Sequence, residues 1–172
     1  HPEYHPEGDV WTHVKMVLDE AVLVAEEWRL TKEEKRILML AALCHDLGKP
    51  ISTKVLEDGR ITAHGHETDG LDPAQKFLDK LKISKGIIEE ILLLVRHHMF
   101  IHNNPDPSAR SIRRLAHDLH PVTIKTLAQL AIADKRGMGH NVSKAYDRAQ
   151  EILRKSEELS VQESKPKPLI MG

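Results

Sequence analysis

His45 and Asp46 are the residues of this chain best placed to do chemistry. They follow the apolar run Ile37 to Cys44 and precede Leu47-Gly48-Lys49-Pro50. A helix that is hydrophobic on all sides is a buried helix, so this one ends by delivering an imidazole and a carboxylate into the interior. Burying such groups is costly unless each finds a partner, and a divalent metal is the partner that suits an imidazole beside a carboxylate. Gly48 and Pro50 then stop the helix. Taken alone, a His-Asp pair reads more simply as a helix end, with the imidazole capping carbonyls and the carboxylate in water. His117-Asp118 shows the difference, because it follows Arg113-Arg114-Leu115-Ala116 and has no apolar helix leading to it. The pair at 45 and 46 therefore needs corroboration from the rest of the chain.

That corroboration comes from the elements that must surround it. Asp9 N-caps a helix that runs to about Arg29, with an inward stripe of His13, Val17, Ala21, Val24 and Trp28, which aims His13 at the core. Thr31-Lys32-Glu33-Glu34 is a capping box that starts the helix ending at His45-Asp46, and the two helices form a hairpin. Between Ile51 and His64, an Asp58-Gly59 turn between short β-prone arms reads as a small β-hairpin or ordered loop, leading into Ala63-His64-Gly65-His66-Glu67. A helix follows through Lys82, its first turns made irregular by Gly70 and Pro73. Another runs from Lys85 to His98 with the stripe Ile87, Ile91, Leu94, Val95, His98, so His98 points inward and His97 about 100° away. Beyond a loop at Asn103 to Pro107, helices at Ser108–Leu119 and Pro121–Arg136 are expected. In the second, Leu127, Leu130, Ala131 and Asp134 share a face, which puts another carboxylate on an apolar stripe. A polar helix, Ser143 to Leu159, packs on the outside.

Residues 1–160 therefore read as one domain and 161–172, with Lys165-Pro166-Lys167-Pro168, as a linker or the start of a following segment. The turn-rich start, His1 to Asp9, lacks an initiator Met, which is expected of a chain cut from something longer.

Composition narrows the function classes. Only 3% of the 172 residues are aromatic, so the core is aliphatic, and a net charge of −1 with 30% charged residues gives no broad basic field for gripping nucleic acid. The one cysteine, Cys44, cannot form an internal disulfide and reads as a core residue of a reducing compartment, which makes the cytoplasm the expected location. No apolar run approaches the roughly 20 residues that span a bilayer, so no membrane partner is expected. Histidine, with 12 copies, is the outlier. His13, His98 and Asp134 on three inward faces, with His45-Asp46 ending a fourth helix, are hard to satisfy among themselves in an aliphatic core. A shared metal site satisfies them together.

The ordered set His13, His45-Asp46 and Asp134, with His66 and His98 between the pair and the last Asp, resembles the HD-domain metal-dependent phosphohydrolases. Within that superfamily, four stretches are similar to the HD domain attached to tRNA nucleotidyltransferases (CCA-adding enzymes): His5 to His13, His45-Asp46-Leu47-Gly48-Lys49, Gly65-His66-Glu67-Thr68 and Val95-Arg96-His97-His98-Met99. Lys167 to Gly172 resembles the opening of a motif that continues further in such proteins, so a neighbouring covalent domain is expected. Pro73 departs from the family pattern, and no nucleotidyltransferase segment is present, so these residues cannot add CCA. The resemblance implies an all-α HD-domain helical bundle.

It also implies one or two divalent ions (Mn, Co, Ni, Fe or Mg). Asp46 bridges them, His13, His45 and Asp134 hold one, and His66 and His98 hold the other. The chemistry implied is hydrolysis of phosphomonoesters or 2′,3′-cyclic phosphodiesters of nucleotides or RNA ends by a metal-activated hydroxide. The partners are a phosphorylated small molecule or nucleotide, and tRNA. Asp46, Lys49 and Glu67 are the expected catalytic residues, with Lys49, His97 and Arg96 touching substrate. Arg110, Arg113 and Arg114 are further phosphate-binding candidates, and His5 and Glu7 are placed at the entrance. His64, His102, His117, His120 and His140 read as surface or supporting residues. Two other classes fit the same ligand order: a di-iron oxygenase of the HD fold, and a non-catalytic module that binds tRNA or a nucleotide for a partner domain.

Overall fold

The computed structural model describes residues 9–139 and 142–161. His5, Glu7, His140 and the linker beyond 161 lie outside the described residues. The first helix, α1 (Val10–Glu27), is capped by Asp9, whose carboxylate accepts from Thr12 N–H at 2.8 Å. The capping box of Thr31 and Glu34 is formed and opens α2 (Lys32–Cys44). Short elements follow: α3 (Lys49–Ser52), the antiparallel strands β1 (Lys54–Val55) and β2 (Ile61–Thr62) with Val55 opposite Ile61, and α4 (His66–Asp69). The remaining helices are α5 (Leu71–Lys80), α6 (Lys85–His97), α7 (Phe100–Asn103), α8 (Ala109–Leu119), α9 (Ile124–Gly137) and α10 (Val142–Glu158). The protein is an all-α bundle with one small hairpin, as the sequence implies.

One aliphatic core joins these helices, from Val17 and Ala21 of α1 through Leu38 of α2, Ile91 of α6 and Leu127 of α9 to Ile152 of α10. Two glycines set how closely helices meet at the functional end. A Cβ on Gly137 would fall 2.6 Å from Val17 Cγ2 and 2.8 Å from Val17 N, so α9 lies directly on α1. A Cβ on Gly48 would fall 2.0 Å from the carbonyl oxygen of His66, so the turn after α2 rests on the backbone of α4. Ser52 reinforces that contact by donating to Asp69 Oδ2 at 2.6 Å.

Several boundaries differ from the sequence reading, each for a local reason. Pro50 does not end structure at residue 50. It occupies the first turn of α3, where a missing N–H costs nothing. Gly70 separates α4 from α5, and Pro73 then falls in the first turn of α5 rather than interrupting a helix. Thr123 is the N-cap of α9, which therefore starts at Ile124 and not at Pro121. The four-residue α7 falls within and just before the stretch read as loop.

Candidate metal centre

Five helices or their ends deliver six side chains to one place. His13 lies near the start of α1, His45 caps α2, Asp46 follows it, His66 opens α4, His98 caps α6 and Asp134 sits in the last turns of α9. His45, His66 and His98 share one local device. The Nδ1–H of each donates to the carbonyl three residues back, of Ala42, Ala63 and Val95, at 2.7 Å. A carbonyl only accepts, so Nδ1 carries a proton and Nε2 is the nitrogen turned inward, the orientation that a metal-binding histidine uses.

The inward atoms converge. His13 Nε2 lies 2.9 Å from Asp134 Oδ1 and 3.7 Å from Asp46 Oδ2. His45 Nε2 lies 3.3 Å from Asp46 Oδ2 and 3.5 Å from Asp134 Oδ1. His66 Nε2 stands 3.4 Å from the other Asp46 oxygen, Oδ1, and 3.0 Å from His98 Nε2. Ligand atoms of His13, His45 and Asp46 lie within 4.8 Å of one another, and so do those of Asp46, His66 and His98. The two groups share one carboxylate.

The interior of this cluster is not satisfied by side chains alone. His45 Nε2 and Asp46 Oδ2 are buried without a hydrogen bond. Lys49 Nζ forms an ion pair with Oδ2 at 2.7 Å. His66 and His98 both carry a proton on Nδ1, so their Nε2 atoms at 3.0 Å oppose two lone pairs unless a proton or cation lies between them. A divalent cation satisfies these atoms together, and a nitrogen-and-carboxylate donor set suits Mn, Co, Ni or Fe.

Without a cation, a proton on His45 and the charge of Lys49 answer the two carboxylates. Burial opposes ionisation of Asp46, but His45 and Lys49 beside it hold its carboxyl well below the usual carboxylate range. Asp134 is likewise held ionised against its burial by the hydrogen bond from His13 and by His45. Burial pulls His45 down, yet the charge of Asp46 and the nearness of Asp134 outweigh it and raise its imidazole to about 10. Burial, and then the His45 charge, push His98 down to about 4, so it is neutral at physiological pH.

A cavity of about 390 Å³ opens on the cluster between Asp46, Lys49, His66, Glu67 and Asp134. Lys49 is mostly buried there, and Glu67 is part-exposed with Oε2 3.7 Å from His66 Nδ1. A neighbouring cavity of about 190 Å³ shares His98, His102 and Asp134 with it and is completed by residues that include Lys135, Lys144 and Arg148. Arg96 and His97 are not brought to either space. They line a separate depression with His117 and His120 on the far side of α6. His117-Asp118 is exposed, its two side chains 3.2 Å apart, as its polar context suggests. Sequence reasoning left His64 and His102 as surface or supporting residues, and both line the larger cavity. It passed over Lys135, although Lys135 directly follows Asp134.

A helical bundle in which four histidines and two aspartates converge, with two groups of donors about one shared carboxylate, is a helical domain with side chains that could hold a divalent metal. A family model described as HD domain matches residues 10–136, and the chain belongs to the HD domain family. Among curated proteins it is similar to the Multifunctional CCA protein of Pasteurella multocida (strain Pm70), with 34% identity over 141 residues, covering 78% of this chain and 32% of that protein. The protein of the same name in Mannheimia succiniciproducens is 30% identical over 139 residues, again 78% of this chain and 32% of the relative. That of Xanthomonas oryzae pv. oryzae is 29% identical over 156 residues, 88% of this chain and 36% of the relative. The chain thus spans about a third of the length of these relatives. No solved structure matches it. Among the described residues, no helix is long and apolar enough to cross a membrane.

Proposed function

We propose that this chain is a metal-dependent phosphohydrolase that cleaves phosphomonoesters or 2′,3′-cyclic phosphodiesters of nucleotides or RNA ends. The observation that carries the reading is the pair of ligand groups joined through Asp46. His13, His45 and Asp134 would hold one cation, His66 and His98 the other, and Asp46 both. Bound divalent cations supply Lewis-acid charge at the phosphoryl oxygens and lower the pKa of a water to near neutrality. The protein does the rest. Asp46 and Asp134 stay ionised, so the centre remains anionic enough to keep its cations. His98 stays neutral and keeps its Nε2 lone pair. Lys49, at the cavity wall, offers its ammonium to a phosphate oxygen as a point charge. Glu67, on the same wall, is placed to take up a proton. The similarity to Multifunctional CCA proteins supports nucleotides or tRNA as the partner class, and the one buried, unpaired cysteine supports a cytoplasmic location. Residues up to about 160 act as the domain, since α10 packs on α9 and adds Ala149 and Ile152 to the core.

Hydrolysis of p-nitrophenyl phosphate and of adenosine 2′,3′-cyclic phosphate tests the reading. Activity is expected to vanish with a chelator and return with Mn, Co or Ni. Two tightly bound irons with oxygen consumption and no hydrolysis would make the chain an oxygenase. Retained nucleotide or tRNA affinity without turnover in any metal would make it a binding module.

The metal affinity itself carries a pH dependence. In the metal-free protein His45 holds a proton at neutral pH, because its imidazole is raised to about 10. A cation must displace that proton, so binding releases it and affinity rises with pH, by about tenfold per pH unit for one proton below pH 10. Dissociation constants measured between about pH 6 and 8 check this, and a flat profile would show that His45 is already neutral.

A further inference from the structure

We infer that the smaller cavity beside Asp134, lined by Lys135, Lys144 and Arg148, is a binding site for a second, non-reacting phosphate of the substrate. Of the seven lysines and arginines of α9 and α10, three are paired with carboxylates. Arg136 pairs with Glu27 at 2.8 Å, Arg154 with Glu151 at 2.7 Å, and Lys155 with Asp106. Lys135, Lys144 and Arg148 have no carboxylate within ion-pair distance among the described residues, yet they come from two helices to one cavity. Lys135 reaches only Met138 Sδ, at 3.5 Å, and Arg148 donates to the His102 carbonyl at 3.3 Å, which fixes its guanidinium above α7. The one carboxylate on this wall, Asp134, has its Oδ1 turned to His13 and His45, so the three cations have no anion paired to them, and a phosphate dianion offsets their mutual repulsion while accepting from each.

The cavity's position defines the ligand. It shares His98, His102 and Asp134 with the cavity over the metal centre, so one molecule can occupy both. A compound with one phosphate at the centre and another a sugar's breadth away meets this arrangement. That chemistry belongs to a nucleoside bisphosphate and equally to the last nucleotide of an RNA chain, whose 5′ phosphodiester takes the second place. The inference rests on the phosphohydrolase reading for which phosphate reacts.

Calorimetric titration of the metal-loaded chain with adenosine 3′,5′-bisphosphate and with adenosine 3′-monophosphate tests it, because binding is read whether or not turnover occurs. The bisphosphate is expected to bind about tenfold or more tightly, as charge-assisted contacts allow. Lys144→Ala and Arg148→Ala are expected to reduce that ratio several-fold, and Lys144→Arg to restore it, which separates a lost contact from a lost fold. A dinucleotide ending in a 3′-phosphate that shows the same gain assigns the site to RNA ends, and a gain confined to the bisphosphate assigns it to free nucleotides. Equal affinities for the mono- and bisphosphate, or a preference untouched by either alanine, would overturn the inference. Preference without turnover would sink the hydrolase reading alone, and turnover without preference would sink this site alone.

Discussion

Asp46→Ala is expected to abolish metal-dependent hydrolysis, with kcat falling by about a thousand-fold or more. Even a residue that only orients a metal ligand typically costs 10–100-fold, and Asp46 faces both ligand groups. Its Oδ2 lies toward His13 and His45 and its Oδ1 toward His66. Removing it leaves two histidine sets with no shared anion, and Lys49 and protonated His45 lose the carboxylate beside them. The variant should also lose metal-induced stabilisation. Saturating cation at 100 times its Kd raises the stability of a binding-competent fold by about 2.7 kcal/mol, so the wild-type Tm should rise on metal addition and that of the variant should stay put. An Asp46→Ala protein whose Tm still rises and which still hydrolyses aryl phosphate would show that the centre works without its bridge.

Gly48→Ala is the second large effect, although Gly48 touches no ligand with a side chain. Its φ of −81° is open to any residue, so space and not backbone angle demands glycine. The added methyl would meet the His66 oxygen at 2.0 Å, the Gly70 nitrogen at 2.6 Å and the His66 carbonyl carbon at 2.8 Å, all backbone atoms that cannot swing aside. The turn carrying Asp46 and the helix carrying His66 must therefore separate. Overpacking costs about 1–3 kcal/mol when side chains can adjust; backbone against backbone belongs at the upper end, or about 10 °C in Tm for a chain this size. The loss is also directional. His66 moves away from Asp46 and His98, while His13, His45 and Asp134, carried on α1, α2 and α9, keep their places. The variant should retain about one metal equivalent and lose the other. Unchanged stability with full metal content would mean that the contact is softer than its distances imply.

The cluster was legible where a residue's direction follows from the periodicity of its own helix. His13, His98 and Asp134 each continue an apolar stripe, and all three come to the buried cluster. His45 and Asp46 were legible because an apolar helix leads to them. Periodicity gives direction about one axis and says nothing of which neighbour waits there. His97 was read as turned aside from His98, but only the packing of α6 against α8 shows that it lines a depression with His117 and His120 instead of the centre. Gly48 read as a helix stop, because a chain of letters does not show two backbones in contact. Lys135, Lys144 and Arg148 are unremarkable in a charged sequence until the packing of α10 on α9 brings them to one wall.

The most direct test is the metal content of the chain purified without added metal or chelator, with Asp46→Ala prepared in parallel. About two equivalents per chain, lost in the variant, is the predicted result for ligand groups joined through one carboxylate. No metal in the wild type, and none taken up from Mn, Co, Ni, Fe or Mg on addition, would contradict a metal centre and with it the hydrolase.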